Sequence, residues 1–358
     1  MNSDRSEYLR HAVLEANAAN QPLTIRGGGS KAFYGRAAPA EAVPLETAGH
    51  RGVLDYEPSE LVLTARSGTP LAEIEALLAE HGQMLAFEPP HFGEGATLGG
   101  TVACGFSGPR RAFAGALRDF VLGCRIVSGE GEFLSFGGRV MKNVAGFDLA
   151  RLMAGALGTL GVLLEISLKV LPKPEREQTV VFAMAASEAL PAMNRWCGEP
   201  WPISGLAYDE SWLYLRLAGA ERAVEAARRR LGGDLAADGP GFWYRLKEQR
   251  GRFFEYPALG AKLWRLSVAP ATPGLDLPGH WFYDWGGALR WLRSDAPAEA
   301  VFREAARAGG QATLFRGRSG NGPVFQPLPP ALRALHLRLK RAFDPKGVLN
   351  PGRLFEEF

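Results

Sequence analysis

The chain has 358 residues, more than one hydrophobic core usually serves, so two domains are expected. Its 41 basic and 38 acidic residues leave a net charge of only +3, and no basic motif with interleaved aromatics is visible, which excludes a nucleic-acid binder. With 46% hydrophobic and 22% charged residues, the composition is that of an ordinary globular protein.

The opening MNSDRSEYLR lacks an apolar h-region, so no secretory signal is expected there. Residues 6–19 place Leu9, Val13 and Ala16 on one helical face, and Asn20, Gln21 and Pro22 end that helix. Leu23, Thr24 and Ile25 read as a short strand that runs into Arg26-Gly27-Gly28-Gly29-Ser30. Residues 61–65 read as a buried strand. Thr69 is placed to cap the next helix, Pro70 suits its first turn and Gly82 its end. Residues 84–87 form the next strand. Strand, helix and strand at this spacing predict a small α/β layer with a parallel pair.

Residues 89–108, PPHFGEGATLGGTVACGFSG, are rich in glycine and proline. Strands return at 120–127 and 132–136 about a Gly129-Glu130-Gly131 turn, which is a hairpin signal. Residues 151–157 read as a helix and 161–170 as an alternating strand. The longest uncharged apolar run, 152–164, falls short of the ~20 residues that a membrane span requires. Leu171-Pro172-Lys173-Pro174 stops the strand and bounds a first domain over 1–173.

A second domain is expected over 174–330. Residues 203–208 and 212–217 predict a hairpin, and 220–231 a charged amphipathic helix. Residues 264–269, 281–285 and 288–292 read as strands, the last two joined at Gly286-Gly287. Pro297 opens a helix over 298–308, and 312–315 is a strand. This mixture predicts an antiparallel sheet with helices on one face, and an α+β fold class overall. In the last segment, 331–358, a helix carries Leu332, Leu335 and Leu339 as an apolar stripe expected to pack back on the first domain. The arginine clusters, Arg228 to Arg230 and Arg338 to Arg341, suit solvated helix faces.

Two loops carry the chemistry. Three glycines after Arg26 allow consecutive N–H groups to point at one anion such as a pyrophosphate, although Gly-Gly-Gly also serves in many tight turns. No G-K-[ST] follows, and the G-x-G-x-x-G of a dinucleotide fold is missing. Thr97-Leu98-Gly99-Gly100 offers a hydroxyl and two positions of close backbone approach, ringed by Gly93, Gly95, Gly105 and Gly108. A flat ring system and a diphosphate both need such approach. An irregular loop packed for structure alone is the competing reading, but loops this long are usually functional. Cys104, Cys124 and Cys197 form no C-x-x-C pair. Their odd number argues against a disulfide framework and for a reducing, cytoplasmic compartment, and the chain lacks a Cys₄ iron–sulfur ligand set of its own.

Four signatures occur in order: PLTIRGGGS (22–30), GATLGGTVACG (95–105), MKNVAGFDLARLMAG (141–155) and GTLGVLLEISLKVLP (158–172). Together they resemble the FAD-binding family of vanillyl-alcohol oxidase and p-cresol methylhydroxylase. The tail AFDPKGVLNPGRLF (342–355) is similar to that of the 2-hydroxyacid-oxidising branch. Residues 108–129, 136–152 and 311–317 resemble the E-subunit family of bacterial glycolate oxidases, which usually shows His where this chain has Gln311. The resemblance implies a two-subdomain FAD-binding PCMH-type fold with a smaller antiparallel α+β cap domain. It implies that the amides of Gly27, Gly28, Gly29 and Ser30, after Arg26, hold the FAD pyrophosphate. Thr97, Gly99 and Gly100 would lie against the pyrophosphate and flavin, with Pro89 and Gly95 in the same loop. Gly161 and Val162 would contact the cofactor from the last strand, and Asn143 would lie near the flavin. Covalently flavinylated relatives use a His or Cys link. No His sits in the first loop and Cys104 suits a buried small residue, so noncovalent FAD is expected.

Oxidising a 2-hydroxy acid requires a base for the hydroxyl proton and a cation or metal for the carboxylate. Competent members of the branch resemble one another in motifs of the type H-x-G-D-G-N-x-H and E-H-G-x-G. Neither is present, and no two of the six His lie within five residues of each other. No metal site and no catalytic residue is therefore assigned. His91, beside the second loop, and the carboxylate-binding candidates Arg110, Arg111, Arg118 and Arg316 are noted. The expected function is that of an FAD-binding subunit in a complex oxidising glycolate to glyoxylate. It would act beside a homologous catalytic flavin subunit and an iron–sulfur subunit, with no transmembrane segment and peripheral membrane association only through the complex. A docking module with a degenerate flavin fold, its Trp281, Trp285 and Trp291 at an interface, is one alternative. A self-sufficient FAD-dependent 2-hydroxyacid dehydrogenase is another.

Overall fold

A computed structural model describes residues 3–138, 148–255, 262–317 and 322–358. They divide into two compact units, one of residues up to 106 with 116–172 and 327–358, the other of 107–115 with 173–326.

In the first unit, the helix Ser6–Ala19 buries Leu9, Val13 and Ala16, the stripe that the spacing predicts. It ends on Asn20, whose φ of 52° is left-handed. Strand β1 (Leu23–Arg26) pairs in parallel with β2 (Val43–Glu46). A five-stranded sheet follows, formed by β3 (Val53–Glu57), β4 (Val62–Arg66), β6 (Val121–Val127), β7 (Phe133–Gly137) and β8 (Val162–Lys169). Its order is β3-β4-β8-β6-β7, and every neighbouring pair is antiparallel. The short strands β5 (Gln83–Met84) and β9 (Leu171–Pro172) pair with each other.

The expected parallel pair around residues 61–87 does not form. The helix Leu71–Glu80 does follow β4, but the strand after it is only two residues long. The chain turns at once, the Glu88 N–H donating to the Leu85 carbonyl, and enters Pro89-Pro90, which lack the N–H that a ladder needs. The parallel pairing lies instead between β1 and β2. Thr69 does not cap the helix either: its Oγ1 accepts the Gly52 N–H at 2.9 Å, and Pro70 takes the cap position. The helix expected over 151–157 is reduced to one turn, Leu149–Leu152, because Gly155, Leu157 and Gly158 all adopt left-handed φ.

The tail joins this unit, but not through its leucines. In the helix Pro330–Phe343 only Lys340 and Phe343 are buried, while Leu332 and Leu335 are 37% and 43% exposed. Burial is confined to the last turn, so a stripe that starts two turns earlier stands clear of the core. The segment beyond makes the contacts: Leu349 bridges Leu23 in parallel, and the Asn350 N–H donates to the Leu23 carbonyl.

The second unit is an eight-stranded, wholly antiparallel sheet. Its strands are β10 (Arg176–Ala183), β11 (Ile203–Asp209), β12 (Trp212–Gly219), β13 (Asp234–Leu235), β14 (Leu263–Ser267), β15 (His280–Asp284), β16 (Leu289–Arg293) and β17 (Gln311–Arg316), in the order β13-β10-β12-β11-β15-β16-β14-β17. The 203–217 hairpin and the strands at 263–267, 280–284 and 289–293 lie where the pattern places them. Strand β10 and the helices Ala186–Cys197 and Gly239–Lys247 had no clear sequence signal. The helix Ala186–Cys197 buries Leu190, Met193 and Trp196 against Leu206, Leu213 and Leu215. The excursion 107–115 belongs to this unit: Trp285 Nε1 donates to the Gly108 carbonyl at 2.9 Å and Arg110 pairs with Glu177 at 2.6 Å.

Candidate functional site

The first unit holds a cleft of about 710 Å³, within the usual range of small-molecule sites. It is lined by the stretch after β1, by Ser67 after β4, by the start of the helix Leu98–Cys104, by the turn 157–163, and by Asn350 and Arg353 from the tail.

Strand β1 ends at Arg26 and delivers the three glycines into the cleft wall. Only Gly29 needs glycine for its backbone, with φ at 73° and open space where a side chain would start. Gly27 and Gly28 are required for a different reason. A Cβ at Gly27 would lie 2.4 Å from Thr97 Oγ1, and one at Gly28 would lie 1.4 Å from the Gly95 carbonyl oxygen. The two loops are thus pressed together through their glycines. Among the described residues, none of the N–H groups of Gly27, Gly28, Gly29 and Ser30 donates to another protein group. They form a run of unpaired donors, as an anion-binding nest requires.

The second loop differs. Thr97 caps its helix, accepting the Gly100 N–H at 3.2 Å, and Gly99 N–H donates to the Ser67 carbonyl at 2.7 Å. These two amides are already satisfied, so Gly99 and Gly100 supply surface rather than backbone donors. Gly95 lies against Gly28 outside the cleft lining, and Pro89 is buried away from it. Gly161 lines the cleft, whereas Val162 is fully buried among Leu9, Val13 and Leu164. Alternation along β8 turns Val162 to the core and Leu163 to the cleft. Asn143 lies outside the described residues.

The cleft is cationic. Arg26, Lys31 and Arg353 line it, and no carboxylate does among the described residues. Lys31 is 7% exposed, with its Nζ donating to the His91 carbonyl at 3.1 Å. Arg353 donates to the carbonyls of Ala32, Tyr34 and Arg36, fixing the stretch that follows the nest. Burial pushes the Arg353 guanidinium down from its ordinary value. Burial pushes the Cys104 thiol up to about 11, against the pull of Lys31 and Arg353, so it stays neutral.

Sequence reasoning missed Asn350, whose Oδ1 accepts the Ile25 N–H at 2.7 Å while Nδ2 donates to the Leu157 carbonyl at 2.6 Å. Its signal was the Asn350-Pro351-Gly352 tail, which carried the resemblance without a role. The other candidates are elsewhere. His91 pairs with Glu75 at 2.8 Å and does not line the cleft. Arg110, Arg111 and Arg316 belong to the second unit, where Arg111 stacks over Trp285 and Arg316 donates to Gln249. Arg118 sits at the surface beside Asp119. No cluster of three His, Cys, Asp or Glu able to hold a metal occurs among the described residues, and no described helix is long and apolar enough to cross a membrane.

An unpaired N–H run, cationic side chains and a wall of small residues fit a dinucleotide with a diphosphate. The comparisons agree. Residues 4–137 match the FAD binding domain family. The chain is 49% identical over 354 residues to glycolate oxidase subunit GlcE of Escherichia coli K12, covering 99% of this chain and 98% of that protein. It is 27% identical over 406 residues to a D-lactate dehydrogenase of Archaeoglobus fulgidus, covering 98% and 89%. It is 31% identical over 162 residues to glycolate oxidase subunit GlcD of Bacillus subtilis, covering 45% and 34%. In fold it is similar to a solved alkyldihydroxyacetonephosphate synthase, with a TM-score of 0.68 at 17% identity, over 97% of this chain and 76% of that one. By its likeness over nearly the whole length of both proteins, the chain belongs to the glycolate oxidase subunit GlcE family of FAD-binding proteins.

Proposed function

We propose that this chain is the FAD-carrying E subunit of a complex that oxidises glycolate to glyoxylate. The likeness to GlcE, at 49% identity over both whole lengths, carries the reading, and the cleft supports it. The N–H groups of Gly27 to Ser30 would hold the pyrophosphate, and Arg26 would add charge complementarity. Thr97, Gly99, Gly100, Gly161 and Leu163 would bound the cofactor. Bound FAD supplies hydride acceptance from the C–H of a 2-hydroxy acid. The protein supplies orientation and exclusion of water. The cofactor is held noncovalently: no His lines the cleft among the described residues, and the neutral Cys104 thiol is a poor nucleophile.

The partners are a homologous catalytic flavin subunit, of the kind named by the GlcD relative, and an iron–sulfur subunit that takes the electrons onward. The complex would sit in the cytoplasm, on the inner face of the membrane. The test is the visible spectrum of the purified chain, before and after anaerobic glycolate, alone and with its partners. A flavin spectrum that glycolate bleaches only in the complex is expected, as is release of the flavin by acid precipitation. A colourless chain that FAD cannot reconstitute would sink the reading.

A further inference from the structure

We propose that Ser67 is a further cofactor-binding residue, its hydroxyl hydrogen-bonding a polar group of the FAD in the cleft; the proposal rests on the reading of the cleft as the FAD site. Ser67 directly follows β4 and is 1% exposed, yet it lines the cleft. Its backbone is fixed on both sides: its N–H donates to the Leu164 carbonyl, and its own carbonyl accepts the Gly99 N–H, both at 2.7 Å. The hydroxyl has no hydrogen-bond partner among the described residues.

The threonine hydroxyls at positions 47 and 97 of this wall are satisfied within the protein. Thr47 Oγ1 donates to the Arg26 carbonyl at 3.0 Å, and Thr97 Oγ1 accepts the Gly100 N–H. Two residues beyond Ser67, Thr69 is tied to Gly52. Buried hydroxyls are rarely left unpaired, because water is lost and nothing replaces it. Here the unpartnered hydroxyl belongs to a residue that lines the cleft. Glycine at position 99 keeps room for the Ser67 side chain, since a Cβ there would come within 2.7 Å of the Ser67 Cβ. A hydroxyl both donates and accepts, so a phosphate oxygen, a ribityl hydroxyl or a flavin ring heteroatom would each satisfy it.

The chemistry fixes opposite signs for two measurements on Ser67→Ala. Without cofactor the variant loses only an unsatisfied polar atom, so the apoprotein melts at the same temperature as the wild type or higher. With cofactor it loses a hydrogen bond, so the Kd for FAD, from fluorescence quenching on titrating the full-length apoprotein, rises about tenfold. An unchanged Kd beside a normal wild-type titration overturns the proposal and leaves the FAD site standing. A lower apoprotein Tm, or a variant that fails to fold, assigns Ser67 a structural role and also overturns it. A wild-type chain that binds no FAD at all removes the reading of the cleft itself.

Discussion

The backbones of Gly28 and Gly95 lie so close that a side-chain carbon on Gly28 would fall 1.4 Å from the Gly95 carbonyl oxygen. The contact is backbone on backbone, so no rotamer change relieves it. The glycine-rich stretches at 26–30 and 93–100 therefore act as one device, in which one loop keeps its donors free and the other braces it by backbone contact.

From this contact, Gly28→Ala should force the loops apart. We expect a loss of about 1–3 kcal/mol in urea unfolding, typical of overpacking, and a preparation depleted of flavin. Gly29→Asn is the control. Position 29 has open space and a left-handed backbone that Asn tolerates, so its stability should stay within about 1 kcal/mol of wild type. Flavin should still fall, because the open space is the cleft. A Gly28→Ala protein as stable and as yellow as the wild type would remove the bracing role.

Lys340 and Asp344 form a buried pair at 2.6 Å that ties the tail to the cleft wall. Lys340 Nζ also donates to the carbonyls of Thr159 and Leu349, and Asp344 accepts the N–H groups of Val348 and Leu349. Lys340→Met leaves the carboxylate buried without its cation and should cost about 3–5 kcal/mol. Adding Asp344→Asn removes that orphaned charge, so the double variant should lose less than the sum of the single losses. Additive losses in the four-member cycle would show that the pair is not coupled.

Asn350 clamps β1 to the 157–158 turn, and both line the cleft. Its φ of 43° is a conformation that Asn tolerates and Ala resists. Asn350→Ala should cost on the order of 2 kcal/mol and weaken FAD binding at a position where the side chain bonds only to backbone. Asn350→Asp keeps the acceptor for Ile25 but sets a carboxylate against the Leu157 carbonyl, so it should not rescue. Equal FAD affinity in all three proteins would exclude the clamp.

What the sequence could express was local. Leu9, Val13 and Ala16 announce a helix face, and the Gly129–Gly131 turn a hairpin, because each is set by neighbours in the chain. The nest was legible for the same reason: Arg26 to Ser30 are consecutive. What failed depends on distant partners. The leucines at 332 and 335 look like a core stripe until the tail beyond the helix makes the contacts, leaving both exposed. Leu335→Ser should accordingly change stability by less than about 0.5 kcal/mol, where Phe343→Ala, in the buried turn, should cost about 3 kcal/mol or more. The motif points to Val162 where Leu163 lines the cleft, because a motif gives a segment, not the face of its strand. Asn350 matters through Ile25 and Leu157, 325 and 193 positions away, and Ser67 through a hydroxyl without a partner among the described residues; neither is written in spacing.

Asp209, at the end of β11, gives the second unit a pH dependence of known sign. Burial pushes its carboxyl from the ordinary 3.8 up to about 6, against the Trp212 N–H and the Tyr214 hydroxyl, which favour the ionised form. A carboxyl whose pKa is raised by folding binds its proton more tightly in the native state. The stability this contributes is fully present below pH 3.8 and is lost as the pH rises through about 6. Asp209→Asn is neutral throughout and can still accept the Trp212 N–H, so it escapes that loss. The Tm of Asp209→Asn minus that of the wild type should therefore grow between pH 4 and pH 7.5, and level off above. A difference that stays flat across this range, or shrinks as the pH rises, would mean that Asp209 is solvated enough to ionise without penalty.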